Sequence, residues 1–239
     1  MNTEKTTFDA LETASLLDYT ALVETLRRTI VEYGAGNIVS PERLSIPLQG
    51  GVMLSMPSSA EDIAIHKLVN VCPGNTARNL PTIHGQVIAC DPVTGEMLFV
   101  LDGPTVTGRR TAAVSALAAM TLLNGSPKEI LVIGTGKQAS NHAEAFATLF
   151  PDARILAKGV SDDSTRRFVE RQKEVAPRLE ALQGDIPKSV DVVVTVTTSK
   201  KPVYNEAVRA GRLVRTFPHQ LAETSASIGF RLFLGFRCS

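Results

Sequence analysis

Two stretches of this chain carry residue types whose spacing can do chemistry. The first is Ile130-Leu131-Val132-Ile133-Gly134-Thr135-Gly136-Lys137-Gln138, an apolar run that enters a Gly-x-Gly turn and opens a helix. Gly134 can make a tight turn, and Gly136 lets backbone N–H groups approach a pyrophosphate at the positive end of that helix. Three residues after Gly136 stands Ala139, small enough for close helix packing. The pattern predicts a dinucleotide site lined by Gly134, Thr135, Gly136, Lys137 and Gln138, with a purely structural strand-to-helix turn as the alternative. In NAD-selective sites an acid about 20 residues further on binds the ribose hydroxyls. Here the strand expected over 154–157 runs into Lys158-Gly159. Lys158 can pair with a 2′-phosphate, which favours NADPH, with NADH as the other possibility. In the competing reading Lys158 is simply solvated and Asp162 or Asp163 reaches the ribose. Thr197 and Thr198 follow the strand expected over 190–196, where a parallel sheet commonly meets its ligand. Contact with the nicotinamide half and a plain loop role both stay open for them.

The second stretch is Ile63, Ile65, Lys67, Val69, Val71, in which one lysine interrupts an alternating apolar run. If the run is a strand, Lys67 shares a face with four apolar side chains, and a charge there needs a partner or a cleft. His66 would face the other way as a structural or exposed residue. His84 is a weak candidate for a proton donor. Isolated Lys and Arg elsewhere read as solvated charges.

These residues need elements to hold them. Asp18 can cap a helix over 19–33, since Leu22, Leu26, Ile30 and Tyr33 fall on one face and Gly34 and Gly36 follow. After Pro41 the rhythm turns to short β-like runs at 43–48, 52–56 and 63–71, punctuated by Gln49-Gly50-Gly51 and Pro57-Ser58-Ser59. Runs 82–90 and 96–101 flank Asp91-Pro92-Val93-Thr94-Gly95 and predict an antiparallel hairpin. An alanine-rich helix is expected over 107–123, ending at Asn124-Gly125 before Pro127. From there strands (129–133, 154–157, 190–196) alternate with helices (137–150, 164–175), which implies a parallel sheet. The expected organisation is therefore a β-rich α+β domain over 1–124, an α/β domain over 125–214 with a boundary near 124–128, and an atypical tail over 215–239.

Composition bounds the partners. The 239 residues are 44% hydrophobic and 21% charged, as in ordinary globular proteins. Lys and Arg total 25 against 24 Asp and Glu, so no global charge attracts nucleic acid or an anionic membrane. A small-molecule partner is expected. The polar start has no signal-peptide pattern and 112–123 is too short to span a bilayer, so a cytoplasmic location is expected. Cys72, Cys90 and Cys238 have no metal-ligand spacing and read as reduced thiols; no metal site is expected.

Several motifs occur in order. They are His66-Lys67-Leu68-Val69-Asn70-Val71-Cys72-Pro73-Gly74-Asn75, then Leu80-Pro81-Thr82, then Gly108-Arg109-Arg110-Thr111-Ala112-Ala113, and finally Gly134-Thr135-Gly136-Lys137-Gln138. This ordered set resembles the ornithine cyclodeaminase and mu-crystallin family over roughly residues 8–214. Within it, Gly103-Pro104-Thr105-Val106-Thr107-Gly108-Arg109-Arg110 is most similar to the bacterial reductases of Δ1-pyrroline-2-carboxylate and Δ1-piperideine-2-carboxylate. The resemblance implies a Rossmann-like parallel-sheet domain preceded by a substrate and dimerisation domain. It also implies a homodimer and NAD(P)H-dependent reduction of cyclic imino acids. Ornithine cyclodeamination and non-catalytic NADPH binding are the alternatives within the family. By resemblance Arg43, Lys67, Thr82 and Arg110 hold the substrate, Lys67 and Arg110 being the catalytic pair, and Thr111 adjoins the cofactor. The chemistry agrees, because an arginine fork binds a carboxylate through paired charge-assisted bonds and a lysine near an imine can orient it and help deliver a proton.

After Ala210-Gly211-Arg212-Leu213-Val214 the resemblance stops. The family continues there with another strand, a loop and terminal helices, whereas this chain reads Arg215-Thr216-Phe217-Pro218-His219-Gln220 and then an apolar, aromatic stretch over 228–236. The expectation is a Rossmann-like domain left incomplete, as a shifted frame or truncated gene would leave it, with an exposed sheet edge.

Overall fold

The computed structural model describes residues 6–187, 190–199 and 201–204, and the backbone of 214–216. The described residues fall into two compact units that divide between Thr107 and Gly108.

The first unit opens with α1 (Ala10–Leu16), which the sequence reading missed. Its signal was present: Asp9 and Glu12 form a reciprocal capping box, the Asp9 carboxylate accepting from the Glu12 N–H at 2.9 Å and Glu12 accepting from the Asp9 N–H at 3.0 Å. α2 (Tyr19–Gly34) is capped by Asp18 and buries Tyr19, Leu22, Val23 and Leu26. Five strands follow: β1 (Leu44–Leu48), β2 (Gly51–Ser59), β3 (Ala64–Val71), β4 (Ile83–Cys90) and β5 (Met97–Asp102). They pair antiparallel in sequence order. β2 runs through Pro57-Ser58-Ser59, where a break was expected. Pro57 faces His66, and Ser59 pairs with Val39 through two 2.9 Å backbone bonds, so the ladder continues on both sides. A short 3-10 turn (Pro73–Arg78), also unforeseen, ends at Asn79, which has the positive φ of 55° that asparagine tolerates. The β4–β5 hairpin turns where expected, with the Asp91 carboxylate accepting from the N–H groups of Val93 and Thr94.

Helix α3 (Gly103–Leu122) begins four residues before the expected start at 107. The Asp102 carboxylate accepts the Thr105 N–H at 2.8 Å, and Pro104 suits the first turn because its missing N–H would have no intrahelical partner. Gly103 sits so close to β4 that a Cβ would lie 2.6 Å from the Gly85 backbone. The α-helix thus starts directly from β5, and the division of units falls inside α3 rather than at the expected 124–128. The physical reason is that its later turns pack within the second unit: Ala112, Ala113, Ala116 and Ala119 are fully buried, and Arg109 and Ser115 bond to α4.

In the second unit β6 (Glu129–Ile133), α4 (Lys137–Leu149), β7 (Arg154–Lys158) and α5 (Asp162–Gln172) alternate as expected; β8 (Leu179–Ala181), unforeseen, then precedes β9 (Val192–Thr195), which is shorter than the expected 190–196, and β10 (Val214–Thr216), also unforeseen. α5 starts two residues earlier than 164 because Ser161 caps it, and it ends at Gln172 rather than 175. The sheet is parallel, in the order β10-β9-β6-β7-β8. All five residues of β6 are buried, and Leu131, Ile133, Leu156, Leu182, Val190 and Val193 form one apolar cluster. β10 continues the sheet beyond β9. The tail from 217 onwards, including the apolar stretch at 228–236, lies outside the described residues, and with it the expectation of an incomplete domain. Among the described residues no helix is long and apolar enough to cross a membrane.

Candidate dinucleotide site and candidate substrate residues

The order of the parallel strands places a reversal at β6. The chain leaves β6 for β7 on one side and later returns to β9 on the other, and ligands of open parallel sheets bind where such connections diverge. The Gly-x-Gly turn lies at that point. The Gly134 N–H donates to the Lys158 carbonyl at 2.9 Å, and the Val196 N–H donates to the Ile133 carbonyl at 2.8 Å, so the turn is flanked by the ends of β7 and β9. Gly134 has φ +133°, and a Cβ there would stand 2.5 Å from the Val196 carbonyl oxygen. Only glycine fits both constraints.

Gly136 is the N-cap of α4, with no side-chain cap on the helix. It is exposed, with open space where a Cβ would project. The first turn of α4 therefore presents N–H groups and a positive dipole end to an anion. Thr135 is half-buried and packs on Gly159, whose added Cβ would lie 2.8 Å from the Thr135 methyl. Lys137 is exposed. Gln138 holds its carboxamide oxygen buried, accepting no hydrogen bond among the described residues. A cradle closed to a Cβ, an uncapped helix start and an orphaned acceptor beside them fit the pyrophosphate and ribose of a dinucleotide. Ala139 is fully buried, as close helix packing requires.

Lys158 ends β7 next to the turn, and its ammonium donates to the Gly184 carbonyl at 2.6 Å. It is therefore not merely solvated, and two of its three N–H donors remain for another acceptor. Asp163 is tied to Arg167. Thr197 is half-buried and its hydroxyl accepts the Ser199 N–H at 3.2 Å; Thr198 is exposed.

The residues assigned to substrate lie on both units. In the first, Lys67 is only 2% exposed, in register between Met56 and Val87 on the face that buries Leu54 and Val69. The alternation of β3 thus puts it on the apolar face, as read from sequence. His66 faces the other way and pairs with the Ser55 hydroxyl at 2.8 Å. Arg43 and Thr82 are half-buried, and His84 is exposed. In the second unit Arg110 is 7% exposed, and burial pushes its guanidinium down to about 9, still cationic at neutral pH. Thr111 is buried one residue further on.

Sequence reasoning missed the polar seam between α3 and α4. A Cβ on Gly108 would come 2.5 Å from the Asn141 carboxamide, Arg109 pairs with Glu144 at 2.8 Å, and the Ser115 hydroxyl lies 3.0 Å from His142 Nε2. The spacing of Asn141, His142 and Glu144 on α4 carries no chemical signature that could have marked them.

Fold and turn together define a chain with a Rossmann-like dinucleotide-binding unit preceded by a separate antiparallel unit. Comparison with known proteins narrows this. The model of the ornithine cyclodeaminase/mu-crystallin family matches residues 4–218. Delta(1)-pyrroline-2-carboxylate reductase 1 of Burkholderia multivorans is 67% identical over 209 residues, covering 87% of this chain and 67% of that one. An archaeal alanine dehydrogenase dimer with bound NAD superposes with a TM-score of 0.73 at 27% identity, covering 83% of this chain and 62% of that one. The Delta(1)-pyrroline-2-carboxylate reductase of Thermococcus litoralis in complex with NADH and L-proline superposes at 0.75 and 23% identity, covering 83% and 64%. The chain thus spans about two thirds of the length of the relatives it matches. It belongs to the ornithine cyclodeaminase/mu-crystallin family.

Proposed function

We propose that this chain is an NADPH-dependent ketimine reductase that converts Δ1-pyrroline-2-carboxylate to proline and Δ1-piperideine-2-carboxylate to pipecolate, as a cytoplasmic homodimer. The observation that carries this reading is the glycine cradle at the β6–α4 turn, in a chain 67% identical to a Delta(1)-pyrroline-2-carboxylate reductase. The first unit supplies Arg43, Lys67 and Thr82 together with the dimer contacts; the second supplies Arg110 and holds the dinucleotide.

In this reading Gly134, Thr135, Gly136, Lys137 and Gln138 hold the dinucleotide through backbone N–H groups and the carboxamide, with Thr111, Thr197 and Thr198 as further contacts. Lys158 pairs with the 2′-phosphate, which is why NADPH is preferred. The bound nicotinamide supplies a hydride to the imine carbon. Arg110 fixes the substrate carboxylate with its planar fork, helped by Arg43 and Thr82. Lys67 orients the substrate and delivers the proton that the ring nitrogen gains.

The test is direct. Purified protein given NADPH and Δ1-pyrroline-2-carboxylate should form proline with equal loss of absorbance at the nicotinamide band. Dinucleotide binding without turnover of either imino acid would instead make the chain a binding protein, and release of ammonia from ornithine would make it a cyclodeaminase.

A further inference from the structure

His142 is fully buried, and none of the chemistry above uses it. Both ring nitrogens are engaged. Nδ1 lies 2.7 Å from the Gln138 carbonyl oxygen, which can only accept, so Nδ1 carries the proton. Nε2 is then an acceptor and takes the Ser115 hydroxyl proton at 3.0 Å, a shorter contact than the 3.3 Å from that hydroxyl to the Thr111 carbonyl. Burial drives the imidazole down to about 4, so this neutral tautomer persists at physiological pH.

The bridge joins two places of consequence. Gln138 lies in the first turn of α4, two residues past Gly136, and Ser115 lies one turn beyond Thr111 on α3. The other α3–α4 contacts, Gly108 against Asn141 and Arg109 with Glu144, lie on the opposite side of Arg110 and Thr111. These two residues are therefore bracketed along α3, with a close crossing and an ion pair before them and a hydrogen bond after them.

We propose that His142 is a positioning residue that, through Ser115 and Gln138, locks the Arg110-Thr111 turn of α3 to the first turn of α4, so that occupation of the glycine turn is transmitted to α3. The inference rests on the reading of that turn as the dinucleotide site. A simple packing role makes a different forecast, because a volume-matched apolar side chain would then suffice.

Backbone hydrogen exchange over residues 108–122, measured with and without NADPH, separates the two. In the wild type, NADPH should slow exchange there by roughly 5-fold or more. His142→Gln, which can still accept from Ser115, should keep most of the effect, whereas His142→Asn, His142→Leu and Ser115→Ala should lose it while still binding NADPH. Ser115→Ala is the mild variant in an alanine-rich helix and decides the matter if the His142 variants do not fold. The Ser115→Ala/His142→Asn double variant should be no worse than either alone, since both remove the same bond. Bound NADPH that leaves α3 exchange unaltered in the wild type, or a full response in Ser115→Ala, overturns this inference alone. Failure of the wild type to bind any dinucleotide overturns it together with the cofactor reading.

Discussion

Gly134 and Val196 approach so closely that a single methyl group on the glycine would lie 2.5 Å from the valine carbonyl oxygen. Neither side can yield cheaply, because the Val196 N–H is bonded to the Ile133 carbonyl and the Gly134 N–H to the Lys158 carbonyl. Gly134→Ala should therefore displace the turn, adding the strain of φ +133° for an L side chain. The expected result is a fall in dinucleotide affinity of about 100-fold or more with a melting temperature lower by several degrees, on the order of 2 kcal/mol. Titration of NADPH by nicotinamide fluorescence checks it, and an unchanged affinity would remove the turn from the site.

Lys67 separates a structural role from a chemical one. It is 2% exposed on an apolar sheet face, where a methionine of similar length would pack without a charge to bury. Lys67→Met should still fold cooperatively, melting within several degrees of the wild type, while imino-acid reduction drops about 100-fold or more, the lower end for loss of a general acid. Loss of stability with retained turnover would show that the ammonium serves the fold.

Cofactor preference turns on Lys158. Lys158→Asp removes a possible phosphate partner and places an acid at the end of β7, where NAD-selective sheets carry one. The ratio of NADPH to NADH affinity should move toward NADH by roughly 10-fold or more, about the worth of one charge-assisted pair. A constant ratio would confine Lys158 to its bond with the Gly184 carbonyl, seen at 2.6 Å.

His142 gives the fold a pH dependence of known sign. Its imidazole is lowered from 6.5 to about 4 in the folded chain, chiefly by burial, so between these values the unfolded chain binds more protons than the folded one. The associated stability is fully present above about 6.5 and is lost as pH falls toward 4, by an amount on the order of 3 kcal/mol. Denaturant titrations from pH 7 to pH 4 should show a steeper decline for the wild type than for His142→Gln, and parallel curves would contradict the assignment.

The legible parts of this chain are those whose determinants are local. The periodicity of α2, the turn at Asp91, the alternation of β3 and the strand-turn-helix at Gly134 each depend on residues within one or two turns of one another, and each stands where the sequence placed it. Boundaries failed where a neighbour outside the window decided them. β2 crosses Pro57-Ser58-Ser59 because Val39 and β3 complete its ladder. α3 starts at Gly103 because Asp102, at the end of β5, caps its first turn, a local signal that helix periodicity does not register.

Ordered motifs and hydrophobic periods, properties of the chain before it folds, were enough to indicate the family, the parallel and antiparallel halves, the glycine turn and the buried lysine. The packing of distant segments is what shows that Gly134 must stay a glycine against Val196, that Lys158 bonds to Gly184, and that Ser115 and His142 join α3 to α4. These pairs are separated by 62, 26 and 27 residues. No local preference encodes such contacts; they exist because a parallel sheet brings the ends of distant strands together and a buried imidazole must find partners for both of its nitrogens.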